Sequence, residues 1–297
     1  MKLATTTGDF SRYTSSQLEI MEYISRAGFK YLDYNFGIDY HGRTGAFSAD
    51  WREYIQTVQK QAARLGVRFV QAHAPMGAPI AEGNEAFIAD NLRCMEVCAA
   101  LGIKNLVVHS GYLPNISKEE CFARNKAFYR PLLERAEELD MNILTENFNK
   151  MSKPDVFWVD NAKDLLALIE YVDHPRFHAV WDAGHGNLQE MPQQEALQIL
   201  GSHVYALHVQ DNMGERDQHF APFFGTMNPD SLMQGLLEIG YQGYFTFEAN
   251  LPPIVKRRHH DGEGPLRIPP LEVKLKGEEL LYEIGKAILN AYGVLEE

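Results

Sequence analysis

Apolar positions along the chain alternate between two rhythms. Short apolar runs lie near 2–6, 30–36, 67–73, 104–109, 142–147, 177–182, 204–209 and 243–248. Runs of this length bounded by turn signals predict strands. Between them, apolar residues at helical spacing predict helices over 51–65, 84–101, 118–139, 160–172 and 229–239, with a last one near 275–293. The passages from helix to strand share one form: SRAGFKYLDYNF, ARLGVRFVQAHAP, AALGIKNLVVHSG, QILGSHVYALHV and LEIGYQGYFTFEA. A glycine there suits the left-handed position that ends a helix. Gly28, Gly66 and Gly102 are 38 and 36 residues apart, Asp140 takes the equivalent place 38 residues later, and Gly201 and Gly240 are 39 apart.

Repetition at this period along the chain implies about eight strand–helix units and a parallel sheet. Eight equal units favour closure, so the expected fold is α/β, a TIM (β/α)₈ barrel formed as a single domain over residues 1–297. A doubly wound sheet shares the alternation, but no G-x-G-x-x-G follows the first strand. The stretch 251–270, LPPIVKRRHHDGEGPLRIPP, reads as a long loop after strand eight, and 271–297 as the closing helix. Long loops at that position often lie over a barrel mouth, although such a charge run can equally be a solvated surface.

Composition narrows the function classes. The 297 residues are 45% hydrophobic and 23% charged, enough for one full core. A formal charge of −12 and a pI near 5.4 argue against general nucleic-acid binding. No run approaches the length of a membrane span, and MKLATTTGDF lacks the apolar core of a secretory signal, so it reads as a first strand. Three cysteines do not make a disulfide framework. Cys94 and Cys98, on one helical face, are expected to be small buried hydrophobes, and a reducing cytoplasm is the expected location.

Candidate chemistry gathers at the C-terminal ends of the strands, which converge on one mouth in a barrel. Strand three ends at His73, strand four at His109, strand five at Glu146 and strand six at Asp182, with His185 just beyond. Strand seven ends at His208, followed by Asp217 and His219, and strand eight ends at Glu248. A lone histidine or glutamate at a strand end is commonly structural. Four carboxylates and five imidazoles around one opening are different, because clustered carboxylates repel and resist desolvation unless cations compensate. The strand ends supply no Lys or Arg, so a divalent metal is expected. Mixed carboxylate and imidazole ligands suit Mn²⁺, Co²⁺, Zn²⁺, Mg²⁺ or Fe²⁺, with manganese placed first and no organic cofactor expected. Trp181, Phe148, Phe220, Phe223, Phe224 and Tyr112 flank the mouth in sequence, either as a sugar-stacking surface or as ordinary barrel packing.

These motifs resemble those of the xylose isomerase-like barrel superfamily, especially its sugar phosphate isomerase/epimerase and ketose 3-epimerase members. The matching stretches are HAP at 73–75, HSG at 109–111, TEN at 145–147, D-x-x-H at 182–185, LHVQD at 207–211, D-x-H at 217–219 and FEA at 247–249. The resemblance implies a metal tetrad of Glu146, Asp182, His208 and Glu248, with Glu146 and Glu248 as the acid/base pair. It implies substrate contacts from His185 and Arg216, with His73, His109, Asp217 and His219 as further candidates, and a small sugar or cyclitol substrate handled by proton transfer. Homodimers or homotetramers are the assemblies it suggests, and neither a membrane nor nucleic acid is the expected partner. A second likeness is to endonuclease IV, whose nine-residue, three-zinc ligand set is matched in type and order by His73, His109, Glu146, Asp182, His185, His208, Asp217, His219 and Glu248. An inosose dehydratase-like lyase is a third reading. The net charge and the isomerase-like stretch HFAPFFGTMN at 219–228 place the isomerase or epimerase ahead of both.

Overall fold

A computed structural model of the protein describes residues 1–149, 156–251 and 268–296. Its eight strands are β1 (Lys2–Thr6), β2 (Tyr31–Asn35), β3 (Arg68–His73), β4 (Asn105–Val107), β5 (Asn142–Glu146), β6 (Phe177–Asp182), β7 (Val204–His208) and β8 (Tyr244–Phe247). They form one sheet in the order β7-β6-β5-β4-β3-β2-β1-β8, and the neighbouring pairs run parallel. The ring closes just past the ends of its two edge strands. Val209 bridges Phe247 in parallel, donating to the Thr246 carbonyl at 2.8 Å and accepting from the Glu248 amide at 3.1 Å. Glu248 therefore sits on the closing seam of the barrel.

The helices around the ring are α1 (Gln17–Ala27), α2 (Gly37–Gly42), α3 (Trp51–Leu65), α4 (Glu85–Leu101), α5 (Lys118–Leu139), α6 (Ala162–Val172), α7 (Ala183–Asn187), α8 (Gln193–Leu200), α9 (Pro229–Glu238) and α10 (Leu271–Ala291). Their ends follow local chemistry. Ser117 caps α5 by accepting from the Glu120 amide, and Asn161 caps α6 by accepting from the Asp164 amide at 3.0 Å. At the other end, Gly102 closes α4 with φ +74 in open space, so backbone conformation alone calls for glycine there. Asp140 fills the corresponding place after α5 at φ 49, as the repeat predicts.

Side chains alternate faces along each strand, which sorts the barrel into two environments. Most of the core lies between the strands and the helices. A separate apolar cluster, Val107, Leu144, Val180 and Ala206, fills the interior on the β4–β7 side. On the opposite side the interior is polar: Asp33, Gln71 and Thr246 are all buried. Glu146, Asp182 and His208 stand two residues beyond Leu144, Val180 and Ala206, so the same alternation turns them into the barrel directly above that apolar floor.

The predicted elements need small corrections. β4 ends at Val107 and β8 at Phe247, so His109 and Glu248 are loop residues just past their strands. The closing helix is shorter than 271–297, stopping at Ala291 ahead of Gly293 at φ +66. Short α2 and α7 follow β2 and β6, and neither is long enough to show an amphipathic period. Most of the 251–270 loop, with its KRRHH run, lies outside the described residues. Cys94, Cys98 and Cys121 are buried free thiols, the first two in the core as expected. Among the described residues no helix is long and apolar enough to cross a membrane.

Candidate active site

Strands β5 to β8 contribute their last residue, or the first beyond it, to one cluster. Glu146, Asp182 and His208 end β5, β6 and β7 and are essentially inaccessible, whereas Glu248 keeps 18% of its side chain exposed to the cleft above. His208 Nδ1 lies 3.2 Å from Glu146 Oε1 and 3.3 Å from Glu248 Oε2. One ligand atom from each of Glu146, Asp182, His208 and Glu248 falls within 4.8 Å of the others. That spread is close to what donors about 2.0–2.2 Å from a shared cation require.

The detailed geometry points the same way. Asp182 caps α7, its Oδ1 accepting from the His185 amide at 2.6 Å, while Oδ2 is buried without a hydrogen-bond partner. Glu146 Oε2 is also buried, with His109 Nε2 2.8 Å from it as its partner. A buried, unsatisfied carboxylate oxygen such as Asp182 Oδ2 is costly in a finished fold and calls for a cation. The four residues therefore fit a divalent metal by donor chemistry as well as by spacing.

Electrostatics within the cluster are strongly coupled. Burial pushes Glu146 up, but the imidazoles of His208 and His109 outweigh it and hold the carboxyl well below its usual range. Burial dominates at Asp182 and pushes it up to about 7, against the pull of His185. At His208 burial is outweighed by Glu146 and Glu248, which raise the imidazole well above its ordinary value. His109 moves the other way, lowered chiefly by burial.

A second cluster flanks the first. His185 on α7 and His219 on the loop after β7 meet Asp217, with His185 Nε2 at 3.5 Å from Oδ2 and His219 Nε2 at 3.2 Å from Oδ1. Gln210 donates to Asp217 Oδ1 at 2.9 Å, and both rings are anchored through Nδ1, to the Asn147 and Glu248 carbonyls at 2.8 and 2.9 Å. Despite burial, Asp217 raises His219 to about 10, and the histidines hold Asp217 far below the carboxylate range. His73 stacks on His208 and its Nε2 lies 3.0 Å from that of His109, so both join the rim of the tetrad. Arg216 is the exception among the anticipated residues. It is exposed, and it is not among the residues lining either cavity of the cleft.

The structure adds residues that sequence reasoning missed. Asp33 on β2 is fully buried and its Oδ2 accepts from His208 Nε2 at 3.2 Å and Gln71 Nε2 at 2.8 Å, while Gln71 Oε1 accepts from Thr246 at 3.1 Å. With Nε2 donating to Asp33, Nδ1 is the ring nitrogen turned toward Glu146 and Glu248, so a carboxylate beneath the ring sets which nitrogen faces a ligand. An Asp inside the apolar run YLDYN was the available signal. Trp158, also unanticipated, stacks on Phe148 at 4.0 Å, and Phe148 sits 5.0 Å from both His109 and His185, making an aromatic wall. Trp181 belongs to the outer core instead, donating to Gln193 at 2.7 Å, which is the ordinary packing role.

Residues 21–265 match the family model described as Xylose isomerase-like TIM barrel. The chain belongs to that family. Among relatives, fructoselysine 3-epimerase of Escherichia coli O157:H7 is 30% identical over 142 residues, covering 47% of this chain and 49% of that protein. Matched stretches reach only 49% to 66% of the length of the first curated relatives. Among solved structures, D-psicose 3-epimerase from Clostridium cellulolyticum H10 superposes with a TM-score of 0.76 at 14% identity, covering 97% of this chain and 99% of that one. An AP endonuclease of family 2 from Brucella melitensis superposes with a TM-score of 0.67 at 17% identity, covering 84% and 92%. At those identities the two structures show a shared fold.

Proposed function

We propose that this member of the family is a divalent-metal-dependent epimerase or isomerase acting on a ketose or related sugar. The observation that carries the reading is the convergence of Glu146, Asp182, His208 and Glu248, with a buried oxygen of Asp182 left without a hydrogen-bond partner. Similarity to fructoselysine 3-epimerase supports the same class. In this reading the four side chains hold the metal, manganese being the first choice, and the metal supplies Lewis acidity toward a carbonyl and its neighbouring hydroxyl. Glu146 and Glu248 act as the proton-transfer pair, one removing the proton α to the carbonyl and the other returning it. Return to the same carbon from the opposite face inverts that centre, and return to the neighbouring carbon exchanges aldose and ketose. Asp182 anchors the ion, and Asp33 orients His208. His185, His219 and Asp217 form a polar wall for substrate hydroxyls, while Phe148 and Trp158 offer an apolar face for C–H surfaces.

A nuclease reading draws on one specific observation: His185, Asp217 and His219 also offer ligand atoms within 4.8 Å of one another, as do His73, Glu146 and His208. Against it, the second cluster is already internally paired and the chain carries a charge of −12. The test uses manganese-loaded enzyme with ketoses in deuterium oxide. Wild type is expected to exchange the α hydrogen, and Glu146→Gln or Glu248→Gln to slow exchange by at least a hundredfold. Full incorporation in both variants would remove the assigned acid/base roles. Three tightly held metals per chain with cleavage of abasic DNA would establish the nuclease instead, and loss of water from a cyclitol the dehydratase.

A further inference from the structure

The residue after Glu146 is an asparagine whose side chain is wholly buried, so it meets neither solvent nor a molecule in the cleft. The β5–β6 ladder pairs Glu146 with Val180 last, and the amide of Phe148 already donates elsewhere, to the Val159 carbonyl at 2.8 Å. Asp182 therefore stands past the end of the ladder on its β5 side. The Asn147 side chain takes over the pairing there. Its Oδ1 accepts from the Asp182 amide at 2.8 Å, and its Nδ2 donates to the Asp182 carbonyl at 2.9 Å. A carboxamide sets a donor beside an acceptor and so can serve both backbone groups of one residue. An ionised carboxylate of the same shape could not donate, and an apolar side chain would leave both groups buried and unpaired.

Two side chains of the site hang from this clamp. Asp182 caps α7 through the His185 amide at 2.6 Å with Oδ1, while Oδ2 is its unpartnered oxygen in the tetrad. His185 in turn donates from Nδ1 to the backbone carbonyl of Asn147 at 2.8 Å, leaving Nε2 as the nitrogen on the Asp217 side. Asn147, Asp182 and His185 thus form a closed triangle, each bonded to the other two. Metal donors must stand within about 0.2 Å of their proper distance, so a slight drift at the end of β6 would loosen an ion.

We propose that Asn147 is a positioning residue. Its side-chain amide fixes the end of β6 so that Asp182 keeps one oxygen on the ion, and through the same triangle it holds His185 toward the substrate. Asn147 itself touches neither. This role rests on the metal-dependent reading above and adds to it a residue that acts only through its neighbours.

Manganese affinity, measured by competition with a chelator, tests the role without turnover. Asn147→Ala is expected to weaken binding about tenfold or more. Asn147→Leu, which keeps the branched shape without either hydrogen bond, is expected to lose as much and guards against a loss that only reflects the space left by alanine. Asn91→Ala is the comparison, because Asn91 is equally buried but donates to the Phe87 carbonyl within α4 at 2.8 Å. Its affinity should stay within about twofold of wild type. In a double-mutant cycle, Asn147→Ala added to Asp182→Asn should cost little more than Asp182→Asn alone, since the loss already passes through Asp182. With manganese saturating, what remains in Asn147→Ala is expected in KM more than in kcat, as a loosened His185 would give. Unchanged affinity in both Asn147 variants, an equal loss in Asn91→Ala, or fully additive losses in the cycle would overturn the role. Tight manganese binding by wild type with no exchange on any ketose would overturn the epimerase or isomerase reading and leave the role toward the ion standing. Wild type that holds no divalent cation would overturn both.

Discussion

Individual side chains in this barrel are defined as much by what lies beneath them as by what they face. His208 is the clearest case, because its two ring nitrogens meet different carboxylates: Asp33 at 3.2 Å below, Glu146 and Glu248 at 3.2 and 3.3 Å above. Removing the lower charge should leave the ring in place but weaken its hold on one tautomer. Asp33→Asn is therefore expected to lower manganese affinity by about 10- to 100-fold, the usual range for a partner beneath a metal-binding histidine. Competition with a chelator measures this directly, and unchanged affinity would remove Asp33 from the site. Asp182 shows the same economy, with one oxygen capping α7 and the other free for a ligand. The four tetrad residues were legible in the sequence as polar residues ending apolar runs, and the family resemblance separated them from His73 and His109, which end runs too. Asp33 was not singled out, because its partner His208 lies 175 residues away and only the barrel's curvature brings them together.

Elements are set mostly by local chemistry, which is why their limits could be read closely. The helix over 51–65 is observed as Trp51–Leu65 and that over 118–139 as Lys118–Leu139. Where a boundary moved, a tertiary cause is visible. Val108 still donates to the Leu144 carbonyl of β5 at 2.8 Å, but beyond it the chain leaves the sheet, and the Gly111 amide donates to the Asn125 side chain at 2.7 Å. Caps make this level testable. Asn161 accepts from the first turn of α6 at 3.0 Å, so Asn161→Ala is expected to destabilise the protein by about 1 kcal/mol in urea unfolding. A change near zero would mean that packing of Leu165, Leu168 and Ile169 alone holds that helix.

For the whole molecule, closure of the ring assembles the candidate site, since it brings β8 and the Glu248 that follows it back beside β1 and β7. The fastening of α10 to that seam contains a fully buried Lys274–Glu278 pair, with Glu278 also contacting Thr5 on β1 at 3.3 Å. Lys274→Met strands an unpaired buried carboxylate and should destabilise by about 3–5 kcal/mol, with most of the loss recovered in Lys274→Met/Glu278→Leu. Denaturant unfolding of the two variants checks this, and equal stability would show that the pair is not held as a unit. Periodicity, helix-ending residues and the polar residues that end the apolar runs determined the repeat and the candidate site residues, because each is a property of one strand–helix unit, while the choice of four of them as a tetrad came from the family resemblance. Closure at Val209 and Phe247, the Asp33 support and the exposure of Arg216 were decided by tertiary structure. They depend on register and curvature between strands far apart in the chain, and residue order alone carries no record of which side chains such curvature brings within hydrogen-bonding reach.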